Sequence, residues 1–481
     1  MDADVSNLMM SMLSTGEQDD FGKEEGQRTI LQLDRVMSSP KSHGSLLLGL
    51  PTEILADIVE LRDRDTTTLS NLALVNVECR QLARSAQFAD IDFNYSPSAH
   101  SLLDKLEYEA TQRSDGIEIP SLGACVRRIV MCSHRGWVAA YHTELYESIF
   151  GDNPGTREQV QALKTPANSI YNAYRNRIIE VIRTAMPNME SVAWQDQFIV
   201  DDSLFRSISH TPIRHLKLSR TPIKFPCILQ PPLSPASWPL RSLHLEARGP
   251  IDTEDSGDED ESGSDQSVTS LELQLKYYRP RKELNQTAYF VTSLLKLCAS
   301  TLRSFHWVGD FSPNAKPISI GPLNFPRLQR FTSAFTDLAP DTLSTILRAP
   351  LRELQLPRLS TTRWAALNET LTSSEHLLDL QTLVIGHTVD DSAEMVAKFL
   401  KSTSHVQKLL IRESKAAGLD EHIVPTVSGG TFRNLVSLSM RWEGPGCAEE
   451  TIPHISSIPE ASLAAIGTIR NPATVAAHSW S

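Results

Sequence analysis

Cys125, Cys132 and His134 are the residues of this chain whose types and spacing come nearest to a metal site. Thiolate and imidazole groups bind zinc, but zinc sites place their paired cysteines closer together and use a fourth ligand. The segment between the two cysteines, VRRIVM from residue 126, is typical of a buried strand. We therefore predict a strand with incidental thiols, and neither a metal site nor a cofactor.

Catalytic and nucleotide-binding signatures are also missing from the sequence. It contains no G-x-S-x-G, no G-x-x-x-x-G-K-[ST], no G-x-G-x-x-G and no H-E-x-x-H. We therefore predict no catalytic residue and a protein that is not an enzyme. The alternative, an enzyme with an unfamiliar site, would require a deep pocket with converging polar groups.

The composition is that of a soluble globular protein with a large core. The 481 residues are 40% hydrophobic and 22% charged, with a net charge of −12. A dedicated nucleic-acid-binding protein would show a basic field, so we expect no nucleic-acid partner. The six cysteines are too sparse for a disulfide scaffold, and no window approaches the ~18 apolar residues of a membrane span. With acids between Met1 and Asp20 in place of a basic leader, we expect a cytoplasmic and/or nuclear protein without a membrane partner.

A six-residue pattern, apolar-x-x-apolar-x-apolar, recurs from residue 189 onward and determines the predicted fold. The spacing of the hexads is close to the ~20 to 29 residues of a leucine-rich repeat. Helical patterns lie between them, so each repeat is a strand, a turn and a helix that buries its apolar face against the next. We therefore predict an α/β fold, a horseshoe-like solenoid with a parallel sheet. The hexads begin at residues 189, 213, 240, 268, 302, 351, 380, 406 and 435, with a degraded copy at 328.

Three short helices are predicted between about residues 48 and 90. Leu50-Pro51-Thr52-Glu53-Ile54-Leu55 opens the first, and Leu69-Ser70-Asn71-Leu72-Ala73-Leu74-Val75-Asn76 follows after a polar break. These two runs resemble an F-box, the three-helix unit that docks on a small Skp-type adaptor and, through it, on a cullin scaffold in an SCF ubiquitin ligase. The resemblance covers Leu48 to Asp92. It implies adaptor contact, or its immediate support, by Leu50, Pro51, Ile54, Leu55, Ile58, Leu74 and Val75.

Five segments follow from these patterns. An acidic stretch within the repeats holds eight acids and no base between Asp252 and Asp265, so it should repel itself and stay extended. The predicted segments are a disordered arm (1–44), an F-box-like helical domain (46–92), a linker with first α/β elements (93–188), a solenoid (189–470, with an acidic disordered insertion at 252–267) and a tail (471–481).

The open face of the predicted sheet is the expected substrate-binding surface. If the first, fourth and sixth residues of each hexad enter the core, alternation sends the third and fifth to the opposite face. That face would then either bind an acidic or phosphorylated ligand or be an ordinary mixed surface. The basic residues expected at or just beyond these positions are His215, Lys217, His244, His306, Arg330, Lys408, Arg412 and Arg441.

Together, these features predict a non-catalytic substrate-recognition subunit of an SCF-type ubiquitin ligase. The resemblance implies that the F-box-like domain binds the Skp-type adaptor, while the repeats bind a protein substrate whose identity the sequence does not give. The alternative is a leucine-rich-repeat scaffold for protein interactions that has no link to ubiquitination.

Overall fold

A computed structural model gives the fold as an α/β protein whose strands are all parallel. The chain divides into a first unit, Met1–Leu240 with Ala247–Glu283, and a second unit, Arg241–Glu246 with Leu284–Ser481. The structure describes residues 36, 46–61, 65–116, 121–151, 153, 155–196, 200, 202–209, 211–222, 238–248, 284–308, 319–321, 323–334, 338–359, 361–372, 377, 379–386, 392–415, 419–443 and 465–466.

The first unit begins with the predicted helical cluster, which consists of α1 (Thr52–Glu60), α2 (Thr66–Ala73) and α3 (Val77–Gln87). Side chains at the two breaks cap the following helices, because Asp65 accepts a hydrogen bond from the Thr68 amide at 3.0 Å and Asn76 accepts one from the Cys79 amide at 2.7 Å. These caps start α2 after five intervening residues from the end of α1, and α3 after three from the end of α2, which gives the three short helices that the sequence predicts.

The rest of the first unit is a sheet of four described strands with helices between them. The sheet order follows the chain, and each strand pairs in parallel with the next. The strands are β1 (Asp90–Phe93), β2 (Arg128–Met131), β3 (Ser191–Trp194) and β4 (His215–Pro222). The helices are α4 (Pro97–Ser114), α5 (Arg135–Tyr141), α6 (Thr143–Phe150), α7 (Arg157–Ala185) and α8 (Asp202–Ser209).

The second unit repeats the same arrangement of strand and helix. Its strands are β5 (Ser242–Arg248), β6 (Ser304–Val308), β7 (Arg330–Ala334), β8 (Glu353–Arg358), β9 (Thr382–Ile385), β10 (Lys408–Lys415), β11 (Ser437–Glu443) and β12 (Ala465–Ile466). Its helices are α9 (Leu284–Cys298), α10 (Pro340–Leu347), α11 (Thr361–Thr372) and α12 (Ala393–Ser402), and a further helical segment runs over Leu419–Thr431.

Burial along the strands follows the predicted alternation. In every described hexad from 189 to 435, the first, fourth and sixth residues are at most 5% exposed. The core row across the second unit is Leu243, Phe305, Phe331, Leu354, Leu383, Leu409 and Leu438, one residue from each successive strand. The hexad therefore places one apolar side chain per repeat in the same core position, which fixes the register of each strand on its neighbour.

The hexad at 268 lies outside the described residues. Ser242 of β5 pairs directly with Ser304 of β6, and His244 pairs with His306. Strands β5 and β6, whose hexads precede and follow the one at 268 in the sequence, are therefore neighbours in the sheet.

Further differences from expectation lie outside the repeats from 189 to 435. The parallel sheet begins at β1 and includes VRRIVM as β2, so it starts well before residue 189. Near the end of the predicted solenoid, β12 pairs in parallel with β11, although no hexad begins after residue 435. Val36 falls within the expected disordered arm, yet it is 3% exposed and packs in the core of the helical cluster. The rest of residues 1–44, the acidic insertion 252–267 and the tail 471–481 lie outside the described residues.

Candidate functional site

The helical cluster packs a small apolar core and leaves other apolar side chains exposed. Its core contains Leu48, Leu55, Val59, Leu69, Cys79, Leu82 and Ala83, joined by Val36. Exposed apolar side chains occur on α1 and directly after it, and from the end of α2 to the first residue of α3. They are Ile54 (44% exposed), Ile58 (40%), Leu61 (84%), Leu74 (78%), Val75 (68%) and Val77 (50%).

The seven residues predicted for adaptor contact therefore divide into two groups. Pro51, Ile54, Ile58, Leu74 and Val75 are exposed and can touch a partner directly. Leu55 is buried in the core, and Leu50 is partly buried and packs against it, so both support the surface from beneath.

A buried glutamine attaches the helical cluster to the start of the sheet. Gln81 of α3 is fully buried, and its Nε2 donates to the Val36 carbonyl oxygen at 2.9 Å and to the Ser121 carbonyl oxygen at 2.7 Å. The same nitrogen lies 3.2 Å from Cys125 Sγ, just before β2. These contacts fix the helical cluster against the first strands, so the exposed apolar residues are held at a set orientation to that sheet.

The candidate metal ligands do not come together in a site. Cys125 is buried, and burial raises its pKa to about 12, so the thiol stays protonated at neutral pH. His134 instead caps α5, because its Nδ1 accepts a hydrogen bond from the Gly136 amide at 3.2 Å. Within the described part of the chain, no three histidine, cysteine or carboxylate side chains lie together as a possible metal site.

The carboxyl ends of β1, β2 and β3 carry a polar cluster that sequence reasoning missed. Ser133 Oγ donates to Asp196 Oδ2 at 2.6 Å, and the Tyr171 hydroxyl donates to the same oxygen. The Tyr95 hydroxyl lies 3.2 Å from His142 Nε2, and burial raises the Tyr95 pKa to about 12 and lowers the His142 pKa. All five side chains are buried, so the cluster joins α7 to the strand ends and offers no accessible reactive group.

The predicted substrate residues of the first unit are only partly where they were expected. His215, at the start of β4, is half-buried and pairs in register with Ser191 of β3. Lys217 is 2% exposed, so the expectation of an open position is wrong for this lysine. Ala193 of β3, which pairs in register with Lys217, is buried as well, so this part of the sheet face is covered.

In the second unit the predicted residues share one face of the sheet. His244 and His306 are half-buried on neighbouring strands, and their rings stack with centroids 4.1 Å apart and planes at 8°. Arg330 is half-buried and Lys408 is exposed, and both lie in the register row that starts at Ser242. Arg412 lies in β10 and Arg441 in β11, but their side chains are outside the described residues.

Arginines at the second hexad position are also exposed, and the sequence analysis did not single them out. The three in the second unit are Arg241, Arg303 and Arg352, each one residue before the first residue of a strand. Alternation assigns only the third and fifth hexad residues to the open face, so it makes no prediction for the second. Alignment of the hexads by position would have found them.

The fold and these surfaces define an α/β protein with repeated parallel strands. Its exposed side chains include apolar ones on the helical cluster and basic ones along the strands of the second unit. No protein-family model matches the chain, and no curated protein matches it.

Proposed function

We propose that this chain is the substrate-recognition subunit of an SCF-type ubiquitin ligase. The helical cluster acts as an F-box that binds a Skp-type adaptor and, through it, a cullin. The leucine-rich repeats bind a protein substrate. The observation that carries the proposal is the set of exposed apolar side chains on α1 and after α2, at the residues where the sequence resembles an F-box.

Exposure of these side chains favours a partner. Full burial of a Val, Leu or Ile side chain contributes about 1.5–3 kcal/mol, and this gain is not realised while Leu61, Leu74 and Val75 face solvent. Apolar side chains that cluster on a surface generally mark sites of protein interaction. A docked adaptor helix would cover them, whereas the buried Leu55 would keep α1 packed on α3.

The repeat geometry supports the second half of the proposal. Parallel strands with one buried residue per repeat in each core row are what a leucine-rich repeat requires, and such arrays bind partners on exposed positions of their strands. The proposal assigns ubiquitin transfer to the other subunits of the complex and places the protein in the cytoplasm and/or nucleus. None of the described helices is both long and apolar enough to cross a membrane.

A pull-down of the full chain with a purified Skp-type adaptor and cullin tests the adaptor half. Ile54→Asp with Leu74→Asp puts charge into the exposed apolar surface and should abolish capture without unfolding the chain. The matched control is Ile170→Asp with Val436→Asp, two exposed apolar residues outside the helical cluster, and it should be captured like the parent. Circular dichroism verifies that both variants are folded.

Capture of neither the parent nor the control, with all proteins folded, would remove the ligase assignment. A repeat scaffold without a link to ubiquitination would then be the better account. Equal capture of all three proteins would show that the adaptor binds elsewhere, and would equally contradict the assignment of the helical cluster.

A further inference from the structure

The residues that immediately precede the strands β5 to β11 form one continuous row. The carbonyl oxygen of Arg241 accepts hydrogen bonds from the amides of Arg303 and Ser304 at 2.7 and 3.0 Å. In the same way, the carbonyl oxygen of each residue in the row accepts hydrogen bonds from two successive amides at the start of the next strand. All of these bonds, from Arg241 to Gln407, are between 2.7 and 3.0 Å long. The line ends at Val436, whose amide donates to the Gln407 carbonyl oxygen at 2.7 Å. We name the six polar residues of the line the strand-start row: Arg241, Arg303, Gln329, Arg352, Gln381 and Gln407.

The strand-start row presents long polar side chains to solvent. Gln329 is half-buried and the other five are exposed. Arg303 and Arg352 form no ion pair with any residue that the structure describes. Successive strands are about 4.8 Å apart, so Arg241 and Arg303 are neighbours, while Arg303 and Arg352 are about 9.6 Å apart with Gln329 between them.

The next row along the strands strengthens the positive charge. It runs from Ser242 through Ser304, Arg330, Glu353, Thr382 and Lys408 to Ser437. The two rows together hold five basic side chains and one acidic side chain, whereas the whole chain has a net charge of −12. The carboxylate of Glu353 accepts a hydrogen bond from Gln355 Nε2 at 2.5 Å, which holds it beside its own strand. A local charge opposite to that of the whole molecule indicates a surface for an anionic partner.

We propose that the strand-start row binds an extended acidic segment of the protein substrate. Guanidinium groups bind carboxylates through two parallel hydrogen bonds, and glutamine amides both donate to and accept from a peptide backbone. Side chains on one side of an extended peptide recur about every 6.6 Å, whereas residues of the strand-start row recur about every 4.8 Å. Arginine side chains are long enough to reach across this difference in spacing. The stacked imidazoles of His244 and His306 lie two residues further along their strands than Ser242 and Ser304.

A peptide fits this surface better than a nucleic acid does. Three of the six side chains are neutral amides, and the acidic net charge of the chain opposes a long polyanion. An acidic peptide of a few residues matches the length of the row, because its six strands span about 24 Å.

Fluorescence anisotropy with the full chain tests the proposal. The probe is a labelled peptide of 14 residues, about 45 Å when extended, in which Asp and Glu alternate with Ser, and a second probe carries Asn and Gln in place of the acids. The substituted protein is Arg303→Glu with Arg352→Glu. The matched control is Lys398→Glu with Lys401→Glu on α12, which changes the net charge by the same amount.

We expect the parent to bind the acidic probe, with affinity that falls as salt rises, and the control to bind within about twofold of the parent. The arginine variant should bind at least about tenfold more weakly, and the neutral probe should not bind. Arg303→Gln with Arg352→Gln, which keeps the side chains polar and long, should show an intermediate loss and guards against misfolding of the reversed variant.

Four results would overturn the proposal. They are a parent that does not bind the acidic probe, equal weakening in the arginine variant and the control, equal affinity for the neutral probe, and displacement of the acidic probe by single-stranded RNA at lower concentration than by unlabelled peptide. The proposal rests on the proposed function for its substrate, but the probe assay contains no adaptor. Loss of adaptor capture and loss of peptide binding are therefore separate failures.

Discussion

Substitution of Gln81 by alanine is the sharpest test of how the helical cluster is held in place. Gln81 is fully buried in α3, and its Nε2 donates to the carbonyl oxygens of Val36 and Ser121, two segments that are far away in sequence. Gln81→Ala removes both bonds and leaves the two carbonyl groups in the interior. The helical cluster would then lose its polar contacts with the segment before β2.

The size of the effect follows from those two bonds. Each contributes about 1–1.5 kcal/mol net, and a buried carbonyl left without a donor raises the cost. The substitution also removes the buried Oε1, which makes no hydrogen bond with the described residues. Loss of this unsatisfied oxygen offsets about 1 kcal/mol of the destabilisation. We therefore expect Gln81→Ala to lower the free energy of unfolding by roughly 2–3 kcal/mol.

Urea denaturation followed by circular dichroism measures this change. Gln87 is the matched control, because it is an exposed glutamine at the end of the same helix, and Gln87→Ala should change the free energy of unfolding by less than about 0.5 kcal/mol. Gln81→Met keeps the volume and removes the bonds, so it separates hydrogen bonding from packing. A loss below about 0.5 kcal/mol for Gln81→Ala would refute the reasoning.

Three further predictions concern the core, the polar cluster and pH. Leu55→Ala should destabilise the chain by about 2–4 kcal/mol in urea, whereas the exposed Leu74→Ala should cost less than about 0.5 kcal/mol; equal effects would contradict the assigned burial. Tyr171→Phe removes the hydroxyl that donates to Asp196 and should cost about 1.5–3 kcal/mol by the same assay, and no change would count against the cluster. Burial lowers the His142 pKa below its usual 6.5, so the unfolded chain binds more protons and stability falls as pH drops below about 6.5. His142→Gln should flatten this dependence by up to about 1.4 kcal/mol per pH unit, measured by urea denaturation between pH 8 and 5, and an unchanged slope would exclude His142 as a contributor.

The sequence alone determined the elements with strong local periodicity. Side-chain direction repeats about every 2 residues in a strand and about every 3.6 residues in a helix. Apolar residues at these spacings therefore specify a strand in hexads such as LRSLHL at 240 and a helix after Pro51, without reference to the rest of the chain. The structure confirms strands at the described hexads, which begin at 189, 213, 240, 302, 328, 351, 380, 406 and 435, and confirms three helices between residues 52 and 87.

Only the tertiary structure decided which elements pair and which side chains stay exposed. Pairing of strands depends on segments that are distant in sequence, so the pattern of one hexad does not determine its neighbour in the sheet; β5 pairs with β6 across the whole segment between them. Burial depends on the elements that pack over a position, which is why Lys217 is enclosed although it stands at an expected open position. The strand-start row of arginines likewise exists because parallel pairing aligns residues up to 62 positions apart, such as Arg241 and Arg303, into one line.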